Sequence, residues 1–133
     1  MNYNKRKQLI LKAMRKIYYE NINPRYDWMG YMITDDNKPT YHHIVKREEL
    51  IEQDLDPSPT IENGAYLGKC SHEMLHVIEQ IDPELYMCWN DLFLMINNFG
   101  VFPVNHIWEL VFKLKRQTED EITAYKQSKN RTK

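Results

Sequence analysis

The run ENGAYLGKCSHEMLH, residues 62–76, decides how this chain is read. It ends a polar stretch at Asn63-Gly64 and opens a helix near Ser71, whose hydroxyl is of the kind that caps helix N-termini. In that helix His72 and His76 stand four residues apart, which puts both imidazoles on one face, where they can share a metal ion. Glu73 lies between them, so residues 72–76 spell H-E-x-x-H.

Such a string is short, and the rest of the chain has to decide its meaning. In a zinc peptidase the two histidines would hold the metal and Glu73 would act as general base. A third ligand would then come from downstream, where His106, Glu79, Glu84 and Glu109 offer no distinctive spacing.

Composition sets the bounds. A chain of 133 residues with 42% apolar and 28% charged residues is expected to form one globular domain spanning 1–133. The apolar-rich segment LYMCWNDLFLMINNFGVF is broken by Asn90, Asp91, Asn97 and Asn98, so no membrane span is expected. The N-terminal MNYNKRKQLILKAMRKIYYE spaces its apolar residues with charges, unlike a signal peptide, and a cytoplasmic location is expected. Cys70 and Cys88 form no C-x-x-C pair and read as reduced, buried thiols. A net charge of -1 argues against a large, strongly basic nucleic-acid surface.

Along the chain, helical spacing of Leu9, Ile10, Ala13, Met14, Ile17 and Tyr18 predicts an amphipathic helix from Asn4 to Glu20, its lysines and arginines on a solvated face. A loop around Pro24 follows. WMGYMIT and PTYHHIV, joined by Asp35-Asp36-Asn37-Lys38, read as a β-hairpin. Residues 46–63 read as irregular, and a helix is expected from about Ser71 to Ile81. Pro83 opens a further helix closed by Gly100, and a last one starts near Pro103, with its basic tail from Lys126 to Lys133 fraying.

The histidines now fall into two clusters, His42-His43 on a strand and His72/His76 on a helix. YHHIVKRE followed by ENGAYLGKCSHEMLH resembles the HNH endonuclease superfamily, whose ββα-metal core packs a hairpin on one helix around a single metal. The family pattern is a D-H or H-H pair, an Asn, a Leu four residues later, and histidines nine and thirteen residues after the Asn. His42-His43, Asn63, Leu67, His72 and His76 meet each spacing. The resemblance covers Met29 to about Ile81 and implies an α+β fold: a ββα-metal core at 29–81, an N-terminal helix and loop at 1–28, and a C-terminal helical extension at 82–133.

By that resemblance His42, His72 and His76 hold a divalent metal and His43 is the general base. Asn63 positions the base or supports the site. The implied activity is hydrolysis of DNA, leaving 5′-phosphate and 3′-hydroxyl ends. Neighbouring strand residues face opposite ways, which suits a ligand and a base side by side. Lys46, Arg47 and Lys69 flank the motifs and are candidates for phosphate contact. Three imidazoles favour zinc, nickel, cobalt or manganese over magnesium on ligand softness.

Where many relatives carry cysteine pairs for a second zinc, Gly68 and Ser71 occupy the helix-side positions, so that zinc ribbon is absent. The near-neutral charge leaves room for a homodimer or a targeting partner. Small lone proteins of this kind resemble those of bacteriophages and mobile elements. A metal-stabilised nucleic-acid-binding module without catalysis is the main alternative, ahead of an H-E-x-x-H peptidase.

Overall fold

Two glycines allow the central strands to meet. In a computed structural model that describes residues 2–18, 26–99 and 105–131, β1 (Pro39–His43) pairs antiparallel with β2 (Gly64–Gly68), in the register Pro39↔Gly68, Tyr41↔Tyr66 and His43↔Gly64. A Cβ on Gly64 would run into the Tyr41 ring, and one on Gly68 into the Asn37 amide. Between these glycines Ala65, Tyr66 and Leu67 are buried, covered on both faces.

The helices are α1 (Tyr3–Tyr18), α2 (Arg47–Glu52), α3 (Lys69–Ile81), α4 (Pro83–Phe99) and α5 (Asn105–Arg131). Among the described residues the architecture is therefore α+β, with five helices and one two-stranded antiparallel sheet. α3 follows β2 without a break, so the strand sets where the helix starts. At the next junction Pro83 takes the first helical position, and Asp82 Oδ1 accepts the Leu85 N–H at 3.1 Å, a side-chain N-cap. The period of α4 buries Leu85, Trp89, Leu92, Phe93 and Ile96. Its Trp89 indole N–H donates to Thr118 Oγ1 on α5 at 2.8 Å. One buried cluster joins Met14 of α1, Trp28, the strands, Leu75 and Ile78 of α3, and Ile107 and Val111 of α5. Each such side chain contributes about 1.5–3 kcal/mol of hydrophobic stabilisation.

Several expectations need correction. PTYHH is a strand, but its partner is 64–68 rather than WMGYMIT, whose region makes only the isolated bridges Tyr26↔Met32 and Thr34↔Asn37. The cause is local side-chain bonding: Asp27 Oδ1 accepts the N–H groups of Met29 and Tyr31 at 3.0 and 2.9 Å, and Asn37 Nδ2 donates to the Met32 carbonyl at 2.8 Å. These bonds curl the segment out of a ladder. The polar stretch after β1 contains α2, started by an acidic first turn at Glu48 and Glu49.

Ser71 is not the N-cap of α3. Gly68 is, and Ser71 lies buried in the first turn, donating its hydroxyl to Asp27 Oδ2. α5 continues through the expected frayed tail to Arg131, and Cys70 and Cys88 are free and exposed rather than buried. The expected loop at Pro24 and the boundaries at Gly100 and Pro103 lie outside the described residues.

Candidate functional site

The pleat of β1 sorts its side chains into two sets. Thr40 and His42 face α3 and α4, whereas Tyr41 and His43 face α1 and the segment leading to β2. His42 is only 4% exposed, its Nε2 lies 3.0 Å from Asn90 Oδ1, and its ring stands edge-on to His72 at 5.4 Å between centroids. His72 and His76 stack one turn apart on α3 at 4.8 Å and 19°. A single cleft of about 320 Å³ is lined by His42, His43, His72 and His76, and also by Lys46 and Arg47.

Hydrogen-bond partners fix the tautomers. Asn90 Oδ1 can only accept, so His42 carries its proton on Nε2 and leaves Nδ1 as the lone pair. Thr40 spends its hydroxyl proton on the Leu67 carbonyl at 2.8 Å, so it accepts from His72 Nδ1 at 3.0 Å, and His72 Nε2 is left bare. His43 Nε2 lies 3.3 Å from the Pro57 carbonyl, so its Nδ1 is the free base and accepts the Tyr3 hydroxyl at 3.3 Å.

Burial pushes the His42 imidazole down to about 3, against the Asn90 hydrogen bond. Burial, with the neighbouring His76, takes His72 down to about 4. His43 is also lowered, first by burial and further by Lys7 and Arg47. All three rings are therefore neutral near pH 7, the state a metal ligand or a general base requires. The same shifts predict acid sensitivity. Between about pH 6.5 and 4 the unfolded chain binds protons that folded His42 and His72 refuse, so stability falls as pH falls. Metal-free protein at pH 4 should lose about 3 kcal/mol through His42 alone, with a smaller share from the partly exposed His72. Urea midpoints that match at pH 7 and pH 4 would count against this.

Asn63 lies beside the cleft and acts on the backbone just past His43. Its Oδ1 accepts the Val45 N–H at 2.8 Å, its Nδ2 donates to the Val45 carbonyl at 3.0 Å, and its own carbonyl accepts the Ile44 N–H at 3.0 Å. The strand end that carries both histidines is thereby locked. Lys69, at the start of α3, is exposed and not among the residues lining the cleft.

Other cleft residues carried no signal in the sequence. α1 contributes Lys7 to the lining, and behind it Tyr3 stacks its ring on His43 with centroids 5.9 Å apart. The cationic groups of Lys7 and Arg47 lie 5.1 and 4.6 Å from that ring. On the opposite wall Glu79 pairs with Lys46, and Tyr86 from α4 completes the lining. The i, i+4 spacing of Tyr3 and Lys7 marks one face of α1, but nothing local says what that face meets.

Of the downstream carboxylates and His106, only Glu79 reaches the cleft, and Glu73 is exposed and absent from its lining. Among the described residues no three His, Cys, Asp or Glu side chains form a ready-made metal cage. The donor chemistry nevertheless fits a metal: two neutral imidazoles have unprotonated nitrogens, and Asn90 and Thr40 hold their other nitrogens as supporting partners do in metal sites. Imidazoles sharing one tetrahedral ion stand about 5 Å apart between centroids, given metal–nitrogen bonds of about 2.0–2.1 Å. Both observed spacings are close to this, but the near-parallel His72 and His76 rings do not aim their lone pairs at one point. The exposed His76 has to turn about its side-chain bonds to join.

No helix among the described residues is long and apolar enough to cross a membrane. No protein-family model, curated protein or solved structure matches this chain.

Proposed function

We propose that the chain is a metal-dependent endonuclease of the HNH type, hydrolysing DNA phosphodiester bonds at a ββα-metal site formed by β1, β2 and α3. The observation that carries this reading is the meeting, in one cleft, of two histidine pairs about thirty residues apart in sequence. His42, His72 and His76 would hold the metal. When bound, a divalent ion there neutralises the phosphate and stabilises charge on the departing 3′ oxygen.

The remaining work falls to the chain's own groups. His43 Nδ1 takes a proton from the attacking water, while the Pro57 carbonyl holds its Nε2–H and keeps the ring in that tautomer. In the resting site the Tyr3 hydroxyl occupies that lone pair, so the water takes its place. Arg47 of α2 and Lys7 of α1, both over the Tyr3 ring, meet the phosphate. Lys46 is tied to Glu79 and serves more to shape the wall. Burial of His42 against Phe93, at 5.8 Å between ring centroids, and Tyr86 keeps water from its side of the cleft.

A supercoiled plasmid incubated with zinc, nickel, cobalt, manganese or magnesium tests the reading directly. Metal-dependent nicking or linearisation, lost in chelator, is expected. Glu73 separates this reading from the peptidase, because it faces away from the cleft. Glu73→Gln should keep cleavage within about two-fold of the unaltered chain, since no step uses that carboxylate. Casein or peptide hydrolysis that disappears in Glu73→Gln, with no cleavage of any DNA or RNA, would reverse the assignment.

A further inference from the structure

The charge of this protein is unevenly placed. α1, residues 3–18, contains six lysines and arginines and no carboxylate, whereas the rest of the chain holds 12 basic and 19 acidic residues, a net of -7 outside that helix. An overall charge of -1 hides this polarity. The basic helix also borders two further hollows. One, of about 320 Å³, shares Lys7, Tyr41 and His72 with the histidine cleft. The next, of about 390 Å³, shares Gln8, Leu11 and Pro39 with the second and adds Lys5 and Lys12. Together they form a continuous groove between α1 and β1, and neither outer hollow has an Asp or Glu in its lining.

We infer that this groove is the track for the phosphodiester backbone of one nucleic-acid strand as it leaves the histidine cleft, with Lys5 and Lys12 as its phosphate contacts. The inference rests on the nuclease reading and deepens it by stating where the flanking strand lies. From Tyr3 to Lys12 the helix rises about 14 Å, the length of about four nucleotides at 3.4 Å each. Amides and lysines suit a backbone that is held without reading its sequence: Gln8 can donate to a phosphate oxygen while the lysines neutralise charge. The acidic remainder of the molecule repels the same strand, so the groove is the electrostatically favoured path.

The test compares salt dependence. Binding of a short fluorescent DNA to the full chain is followed by anisotropy across a salt series, with chelator present to stop cleavage. Three proteins are compared: the unaltered chain, Lys5→Gln/Lys12→Gln, and Lys113→Gln/Arg116→Gln, which removes the same charge from exposed positions on α5. Losing two phosphate contacts should make the slope of log K against log salt shallower by about 1.4–1.8 and weaken binding several-fold at low salt. The α5 variant should keep the unaltered slope, and plasmid cleavage by the α1 variant should show a raised KM with an unchanged kcat. All the replaced residues are exposed helix positions, and circular dichroism verifies that each variant is folded. An α1 variant with an unchanged slope, in a protein that still cleaves DNA, overturns the groove alone. Equal loss of slope in both variants also overturns it, because the effect would then be one of net charge. If the unaltered protein neither binds nor cleaves nucleic acid, the nuclease reading fails and the groove fails with it.

Discussion

Replacing His43 by alanine is expected to lower the rate of DNA cleavage by about 10²–10⁴-fold, the usual contribution of a positioned general base. The ring is half-buried, held by Tyr3 and the Pro57 carbonyl, and lies on the opposite face of β1 from His42. Its loss therefore removes the proposed proton acceptor and leaves the proposed ligands where they are. Calorimetric titration with zinc should give His43→Ala near-unaltered affinity, while His72→Ala binds markedly more weakly. Paired measurements matter because a collapsed site would lose both properties together. A metal-loaded His43→Ala protein that cleaves at the unaltered rate would remove His43 from the role of base.

Asp27→Ala is expected to destabilise the fold by about 3 kcal/mol or more, the largest effect on stability anticipated outside the apolar core. Its buried carboxylate accepts four hydrogen bonds, from the N–H groups of Met29, Tyr31 and Gly68 and from the Ser71 hydroxyl. Burial pushes this carboxyl up, against the lowering effect of those four donors. Alanine would leave all four without their partner in a place that water does not reach. Asp27→Asn keeps an oxygen for Met29 and Tyr31 but turns an amide N–H₂ toward Gly68 and Ser71, so an intermediate loss is expected. Urea denaturation of the two variants measures the difference, and a loss under about 1 kcal/mol for Asp27→Ala would show that the donors find other partners. Gly68 caps α3 and Ser71 lies in its first turn, so the same anchor sets the origin of the helix that carries His72 and His76.

Asp27 also explains what was legible in the sequence and what was not. Helical periods are local, and α1 and α4 were readable from the spacing of residues such as Met14, and Trp89 and Phe93, although α1 buries Leu11 and leaves the expected Leu9 exposed. Strand pairing is not local. WMGYMIT has the aromatic and apolar content of a strand, yet the Asp27 and Asn37 side chains turn it aside. GAYLG is too short, and too buried on both faces, to show an alternating pattern. At the site, the spacing of His42, His43, Asn63, His72 and His76 picked out residues that the fold does bring together around or beside one cleft. Tyr3, Lys7 and Asn90 reach the histidines through tertiary packing alone, which no local pattern shows, whereas Glu79 follows His76 by one turn of α3 and had only an undistinctive spacing to mark it. Lys69 is next to the motif in sequence, but it is exposed and does not line the cleft.

The Asn63 clamp has a consequence for how such a protein can change. Residues 44–63 leave the sheet after His43 and return to it at Gly64, and Asn63 staples the two ends of that excursion together at Val45. The excursion behaves as a closed loop whose later part is tied to β1, the Pro57 carbonyl to His43 and Thr60 to the Tyr41 hydroxyl, which leaves the exposed stretch 51–56 as the part held least. Doubling the length of such a loop costs only about 0.6 kcal/mol in closure entropy. Insertions and deletions near Asp54, where the backbone already takes a left-handed turn at φ 58°, can therefore accumulate without shifting the histidine pair. The stretch freest to vary thus follows directly on Lys46, Arg47 and Glu48 of the cleft lining, so changes in its length reshape that wall of the cleft while the histidines stay in place.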